Sequence, residues 1–380
     1  MIEFRLPSLG SDMDKGTLLE WRVQPGDTVT RGDIVAVVDT TKAAIDVECW
    51  HDGTVEALFV EPGAEIPVGT LMAVLREPGE TAEQVRTQVD ALRTALHSAP
   101  SPALQGRIAV SPLARRRAAE LGVELAGLSG TGPGGAITVG DVESAAKSRP
   151  AVADRAEAMR ETIATAMSRS KREIPHYYLA EDIPLAAAMA YLGEQNAARS
   201  VTERLLLAPL LLQAVARTLL RFPEFNGFFR DGAFCASTAV HVGVAIALRA
   251  GGLVAPALRN VPGMNVDTLN GELLGLVARA RAGSLRSSEI SDATITVTSL
   301  GEQGVGSVFP IIYPPQVAIV GFGRVLERPW VVDGAIKAVP LITASLGADH
   351  RVSDGHRGGR FLAAVRELLQ RPQDLAKAPA

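Results

Sequence analysis

Two stretches near the start of the chain repeat one another at an offset of 37 residues. Gly16-Thr17 and Pro25-Gly26 in the first stretch return as Gly53-Thr54 and Pro62-Gly63 in the second. Short runs rich in valine, leucine and isoleucine lie between these turn residues, which is typical of β-strands. The repeat therefore predicts that residues 1–76 form an all-β domain, a flattened barrel of two sheets with approximate two-fold symmetry.

The composition predicts a multidomain globular protein. A chain of 380 residues with 47% hydrophobic and 21% charged residues is long enough for two or three domains. The net charge of −4, with no long basic run, gives no sign of a nucleic-acid partner. Cys49 and Cys235 are far apart and lack the spacing of metal ligands, so we expect no metal site and reduced thiols.

No segment of the chain has the pattern of a membrane span or a targeting signal. The richest apolar run, residues 205–220, contains Pro209, Gln213 and Arg217, and it predicts a buried helix instead. The first strand-like run begins at Ile2, with no targeting pattern before it. We therefore expect a cytoplasmic protein with no membrane partner.

A strand-like run, residues 339–346, leads into a polar turn at His350, and a helical pattern follows. A histidine in such a turn titrates near neutral pH and can act as a general base, although an ion-paired loop without chemistry would give the same pattern. His350-Arg351 with Asp354-Gly355 resembles the His-Arg-x-x-Asp-Gly signature of the dihydrolipoamide acyltransferases. These are the core subunits of the 2-oxo acid dehydrogenase complexes, and the chloramphenicol acetyltransferases share the signature.

Residues 159–375 mix strand-like runs with helical patterns, which predicts an α/β sandwich. The resemblance to the acyltransferases continues, in the same order, over almost all of this segment. Its further motifs are Pro223-Glu224-Phe225-Asn226, Gly252-Leu253-Val254-Ala255-Pro256 and Pro310-Ile311-Ile312-Tyr313-Pro314-Pro315. The resemblance implies an α/β catalytic domain like that of chloramphenicol acetyltransferase, preceded by a linker at residues 145–158.

The resemblance also implies a reaction, the exchange of an acyl group between a dihydrolipoyl thiol and coenzyme A. His350 would take the thiol proton as general base. Thr298 would donate a hydrogen bond to the oxyanion, with Ser299 as the alternative donor if the register shifts by one. Asp354 would hold the loop. In this family the catalytic domain is a trimer, which implies that His350 and Thr298 come from neighbouring chains.

Lys42 lies between two strand-like runs within residues 38–48, so the pattern places it at or near an exposed hairpin turn. Most lysines at such positions are only solvated charges. The segment, however, resembles the lipoyl domains, which implies covalent lipoate on Lys42. A biotin carrier would place methionines on both sides of the lysine, where this chain has Thr41 and Ala43. The motifs that resemble the family are Leu6-Pro7-Ser8-Leu9-Gly10, Glu20-Trp21 and Pro25-Gly26-Asp27.

Residues 77–106 predict a linker. A narrow apolar stripe recurs within it at helical spacing, formed by Val85, Val89, Leu92 and Leu96. In the family that this chain resembles, the linker at this position is usually flexible and rich in alanine and proline. Two interpretations of this segment therefore remain open, a rigid helix and a mobile coil.

Residues 107–144 predict two short helices around a glycine-rich loop. Ser111-Pro112 is typical of a helix start, and Thr138 with Asp141 predicts a second N-cap. The loop glycines match a dinucleotide fingerprint in spacing, but no strand-turn-helix context surrounds them, so that interpretation is rejected. The segment resembles the peripheral subunit-binding domain of the same family. A decarboxylating 2-oxo acid or acetoin dehydrogenase, or dihydrolipoamide dehydrogenase, would dock there on Arg115 and Arg116.

The resemblance leaves the acyl group and the assembly open. Acetyl, branched-chain acyl and succinyl groups all occur in the family, and the trimer can stand alone or build a shell of 24 or 60 subunits. Two other function classes compete. A non-catalytic docking subunit would lack His350, and a free-standing acetyltransferase for small molecules would leave Lys42 unexplained.

Overall fold

In the computed structural model the chain forms two compact units, the first made largely of residues 1–158 and the second largely of residues 159–380. Side chains are not described at residues 145–147 and 152–158. Apart from these side chains, the structure describes every residue of the chain except 10–12, 41–43, 78, 82–84, 87, 91, 93–110, 112, 115–116, 119–129, 133–135, 148–151, 249–251, 302–303 and 378–380.

The first unit contains eight strands in its described part. They are β1 (Ile2–Arg5), β2 (Lys15–Trp21), β3 (Thr28–Val29), β4 (Ile34–Asp39), β5 (Ala44–Glu48), β6 (Gly53–Leu58), β7 (Glu65–Pro67) and β8 (Leu71–Arg76). One sheet has the order β1-β8-β6-β3, and the other contains β5, β4, β2 and β7 as neighbours. The predicted pair of sheets is confirmed.

The 37-residue offset relates the strands of the two sheets. β2, β3 and β4 of the first half correspond to β6, β7 and β8 of the second. β2 pairs with β4 and β7, while β6 pairs with β8 and β3. Each half therefore contributes one short strand to the sheet of the other half. This exchange joins the repeats into one domain, in which residues such as Leu18 and Val55 are buried.

The small helical segment has a core of its own. Residues 113, 114, 117 and 118 are helical, and the second helix is α1 (Val139–Lys147). Ala114, Ala118, Ile137 and Val142 form the core. Asp141 accepts hydrogen bonds from the backbone of Thr131 and Thr138 at 3.0 and 2.8 Å, and these bonds lower the pKa of its carboxyl. The predicted N-cap at Thr138 is present.

The second unit is an α/β sandwich that begins within α2 (Val152–Glu173). Its helices are α3 (Ala186–Asn196), α4 (Leu207–Leu219), α5 (Val266–Ala282), α6 (Ser287–Ser291), α7 (Gly355–Leu369) and α8 (Pro372–Ala376). Its strands are β9 (His176–Pro184), β10 (Gly227–Arg230), β11 (Ala233–Ala236), β12 (Val242–Val244), β13 (Ile246–Ala247), β14 (Leu253–Val254), β15 (Ala257–Leu258), β16 (Leu285–Arg286), β17 (Ile295–Ser299), β18 (Ala318–Phe322), β19 (Leu326–Val332) and β20 (Ala335–Asp349).

The central sheet has the order β15-β12-β17-β18-β20-β19, and β9 pairs along the other edge of β20. The predicted buried helix is α4, whose buried residues belong to the apolar core of the second unit. No helix in the described part of the chain is both long enough and apolar enough to span a bilayer. Cys49 and Cys235 are both free thiols.

Candidate active site

His350 is the first residue after β20, at the turn that leads into α7. Its backbone N–H donates a hydrogen bond of 3.0 Å to the carbonyl of Pro175. The imidazole is exposed and meets the edge of the Tyr177 ring, with 5.3 Å between the ring centroids. The turn that the sequence predicts is therefore present, and its histidine is accessible.

Polar contacts to the buried carboxylate of Asp349 anchor the backbone on both sides of His350. Asp349 is 0% exposed, and the Arg351 guanidinium binds its carboxylate at 2.6 Å from Nη2 and 2.9 Å from Nε. The Arg351 guanidinium also lies 3.8 Å from the ring centroid of Phe229, on β10. Because both neighbours of His350 are held, its imidazole projects from a rigid base.

The pair of Asp349 and Arg351 is expected to contribute strongly to stability. Asp349→Asn removes the buried carboxylate that accepts from the partly exposed Arg351 guanidinium, and hydrogen bonds to charged groups typically contribute about 1.5–3 kcal/mol. Glu181→Gln is the matched control, because the pair of Glu181 and Arg366 is partly exposed and is worth at most about 1 kcal/mol. Thermal unfolding measures both variants, and equal losses would contradict the anchoring role of Asp349.

Asp354 begins α7 as its N-cap. Its Oδ1 accepts a hydrogen bond of 2.9 Å from the backbone N–H of Arg357, which lowers the pKa of the carboxyl. The nearby His356 and His350 lower this pKa further, by smaller amounts. The hydroxyl of Tyr177 hydrogen-bonds Ser353 Oγ at 2.8 Å. The loop after His350 is thus held at its far end. The sequence did not predict this contact of Tyr177, because Tyr177 lies far from the loop along the chain.

Thr298 lies near the end of β17, half-buried. Its register partner on β18 is Gly321, which in turn faces Ser345 on β20. Two strand spacings give about 10 Å across the sheet, and five residues from Ser345 to His350 give about 16 Å along it. The backbones of Thr298 and His350 are therefore roughly 19 Å apart within one chain. One chain alone does not bring these two predicted residues together.

Two other polar side chains, Thr296 on β17 and His176 at the start of β9, are hydrogen-bonded within the protein. Thr296 donates its hydroxyl hydrogen to Gln316 Oε1 at 2.7 Å. His176 Nε2 accepts the backbone N–H of Ile312 at 3.1 Å, so its Nδ1 carries the proton that it donates to the carbonyl of Ile174. Burial lowers the pKa of His176, which favours this neutral form.

Three predicted site residues, Lys42, Arg115 and Arg116, lie outside the described residues. Lys42 falls in the sequence between β4 and β5, which are neighbours in one sheet. No cluster of three or more potential metal ligands occurs within the residues that the structure describes.

Three family models match the chain in succession. A model for biotin-requiring enzymes, the biotin and lipoyl attachment domain, matches residues 2–75. An E3-binding domain model matches residues 108–143. A model for the catalytic domain of 2-oxoacid dehydrogenase acyltransferases matches residues 150–377, more than half of the chain.

Curated relatives match along nearly their whole length. The dihydrolipoyllysine-residue acetyltransferase component of the pyruvate dehydrogenase complex from Zymomonas mobilis is 29% identical, over 98% of both chains. The protein of the same name from Staphylococcus aureus is also 29% identical over 98% of both chains.

Solved structures resemble the second unit. A dihydrolipoamide acetyltransferase from Azotobacter vinelandii is 31% identical, with a TM-score of 0.54 over 57% of this chain and 90% of that one. It was investigated for the catalytic roles of a serine, a histidine and an asparagine, which lie at intervals of 52 and 4 residues. The cubic core of a pyruvate dehydrogenase complex gives the same identity, TM-score and coverage. A probable dihydrolipoamide acetyltransferase from Listeria monocytogenes is 26% identical, with a TM-score of 0.52 over 58% of this chain and 94% of that one.

Proposed function

The chain belongs to the family of the 2-oxoacid dehydrogenase acyltransferases, and from this premise we propose that it transfers an acetyl group between a lipoyl-lysine and coenzyme A. Family membership makes it an acyltransferase of a 2-oxo acid dehydrogenase complex. We assign acetyl because the full-length relatives are named acetyltransferase components of pyruvate dehydrogenase complexes.

One observation carries the assignment of the catalytic residues. Thr298 lies 52 residues before His350 and Asp354 four residues after it, the same spacings as the serine, histidine and asparagine of the Azotobacter vinelandii enzyme. Threonine retains the hydroxyl of serine. Asp354 retains a side-chain oxygen that accepts the N–H of Arg357, so it serves the loop and the helix start rather than the substrate.

We assign His350 the role of general base. A thiol with a pKa of about 8.5 is mostly protonated at neutral pH, and the thiolate is the nucleophile. His350 takes the proton while the sulfur attacks the thioester carbonyl and forms the new C–S bond. The old C–S bond then breaks, and the protonated imidazole returns the proton to the leaving thiolate. Both transfers use one exposed imidazole, so the site operates in both directions.

We assign Thr298 of a neighbouring chain as the donor to the oxyanion. The roughly 19 Å between the backbones of Thr298 and His350 within a chain is far beyond hydrogen-bond reach. In a site between two subunits, Thr298 of one chain can lie beside His350 of the other. It also leaves two open mouths, one for coenzyme A and one for the lipoyl arm.

The carrier and docking roles complete the proposal. Lys42 would carry lipoate through an amide, which removes its charge and adds a flexible arm that ends in a dithiolane. Arg115 and Arg116 would contact the decarboxylating dehydrogenase or dihydrolipoamide dehydrogenase on the segment that the E3-binding model matches. We place the protein in the cytoplasm, assembled on trimers.

The acyl assignment is tested with free dihydrolipoamide and a panel of acetyl-, isobutyryl- and succinyl-coenzyme A. The purified protein is expected to give the highest kcat/KM with acetyl-coenzyme A, by at least about tenfold, because one or two extra carbons in a closed pocket typically change the barrier by 1–3 kcal/mol. A higher kcat/KM with isobutyryl- or succinyl-coenzyme A would overturn the acetyl assignment and retain the acyltransferase.

A further inference from the structure

The chain turns back on itself directly after β8 instead of leaving the carrier domain. Gly79 has a φ of +103°, and the N–H of Glu80 donates to the carbonyl of Glu77 at 3.2 Å, which closes a turn. The Arg76 guanidinium holds this turn against the domain, since it contacts Glu56 Oε2 at 3.3 Å and the Glu80 carbonyl at 3.4 Å. Beyond this turn, the next helical residues that the structure describes lie against the β1-β8-β6-β3 sheet.

The returning residues form a helix that packs on this face. The described residues in the range 85–92, namely 85, 86, 88–90 and 92, are helical, and we call them the strap. Val85 and Val89 lie one turn apart and are only 1% and 5% exposed. They pack in one apolar cluster with three residues of the sheet, Ala57, Leu71 and Val74.

The opposite side of the strap is polar. Gln88 and Asp90 are exposed, and the Arg86 side chain reaches Glu56 Oε1 at 3.3 Å. Glu56 therefore binds two guanidinium groups, one from the end of β8 and one from the strap. An amphipathic helix that buries its apolar stripe and pairs its charge on the same domain is a docked element rather than a free linker.

We propose that the strap is an integral part of the carrier domain and sets how far that domain can travel. A chain that left the barrel at Arg76 would have 34 residues before Ser111, which span at most about 120 Å. With the strap docked, the last described residue that packs on the domain is Leu92 instead. The 18 residues that remain before Ser111 span at most about 65 Å.

The strap thereby restricts which sites one lipoyl group can serve. The effective concentration of a tethered group is zero at any site that its tether cannot reach. A tether whose maximum span is about 55 Å shorter therefore excludes the more distant partner sites. This consequence rests on the carrier role of Lys42 proposed above. The docking of the strap itself does not depend on that role, so the two can fail separately.

Hydrogen exchange of the full-length lipoylated protein tests the docking. Amides of the strap are expected to exchange at least about 100-fold more slowly than the unstructured rate in the native protein. Val85→Asp combined with Val89→Asp should remove this protection, because it places two charges under the helix. Gln88→Asp adds the same kind of charge on the exposed side and should retain the protection. Unprotected strap amides in the native protein, or equal behaviour of both variants, would overturn the proposal.

Small-angle scattering of the same proteins tests the reach. The largest dimension of the double variant should exceed that of Gln88→Asp, by up to about 55 Å for each carrier. Lipoylation of Lys42 reports that the barrel is still folded, and transfer to free dihydrolipoamide reports the catalytic unit. If the double variant fails to be lipoylated, Val89→Ala replaces it and should raise strap exchange by a smaller factor. Unchanged exchange in Val89→Ala would refute the docking of the strap, and unchanged dimensions with a released strap would refute its reach-setting role.

Discussion

Replacing Lys42 with arginine is expected to abolish turnover of the assembled complex while transfer from acetyl-coenzyme A to free dihydrolipoamide stays at the native rate. Arginine keeps the positive charge, but its guanidinium is not a substrate for the amide bond that attaches lipoate. The two reactions separate because free dihydrolipoamide diffuses to His350 by itself. In the complex, only a tethered arm carries the acyl group between active sites.

Complex turnover is measured as NADH production with the partner dehydrogenases present, and the variant should retain less than about 1% of the native rate, close to complete loss of the acyl-transfer route. Lys15→Arg is the matched control, because Lys15 is an exposed lysine of the same domain and should be replaceable. An equal fall in transfer to free dihydrolipoamide would show that Lys42 acts on the catalytic unit, and normal complex turnover would show that Lys42 is not the carrier.

The barrel was predictable because its signals are local. Turn residues such as Pro25-Gly26 and Pro62-Gly63 mark each half, and the strands between them carry a regular pattern. The length of β20 was not predictable in the same way. The sequence predicts a strand at residues 339–346, whereas β20 is Ala335–Asp349. Its first residues pair with β19 but remain exposed, so they lack the apolar signal that marks a buried strand.

The candidate site was only partly predictable. His350 and Asp354 lie in one short motif, and a local pattern reveals them. The anchor of Asp349 and Arg351 on Phe229 depends on a strand far away in the chain. The separation of Thr298 from His350 follows from the strand order β17-β18-β20, which the sequence does not contain as a local signal.

The strap, too, was only partly predictable from the sequence. The spacing of Val85 and Val89 is helical, but it leaves a rigid helix and a mobile coil both open, and it does not tell which surface a helix would cover. β8 is apolar on both faces, which the sequence alone cannot separate into an inner face and a face that accepts a helix. The structure resolves this point, because Val74 of β8 and its register partner Ala57 on β6 cluster with the strap.

The second large effect concerns the two residues of the proposed shared site. His350→Ala should lower kcat for transfer to free dihydrolipoamide by about 10² to 10⁴, the usual contribution of a general base. Thr298→Val removes only the hydroxyl and should lower kcat by about 10² to 10³, the usual contribution of an oxyanion donor. Thermal unfolding should match the native protein in both variants, because His350 is exposed and valine preserves the volume of threonine. A loss of less than tenfold in either variant would contradict its catalytic role.

Co-expression of these two variants tests the shared site most directly. If each site of a closed trimer draws His350 from one chain and Thr298 from its neighbour, as proposed, random mixing of equal amounts leaves about one quarter of the sites intact. The mixture should recover about 25% of native activity, far above either variant alone. Native chains mixed with chains that carry both substitutions should also give about 25%, whereas sites within single chains would give about 50%. Co-assembled trimers that show no recovery would contradict the shared site.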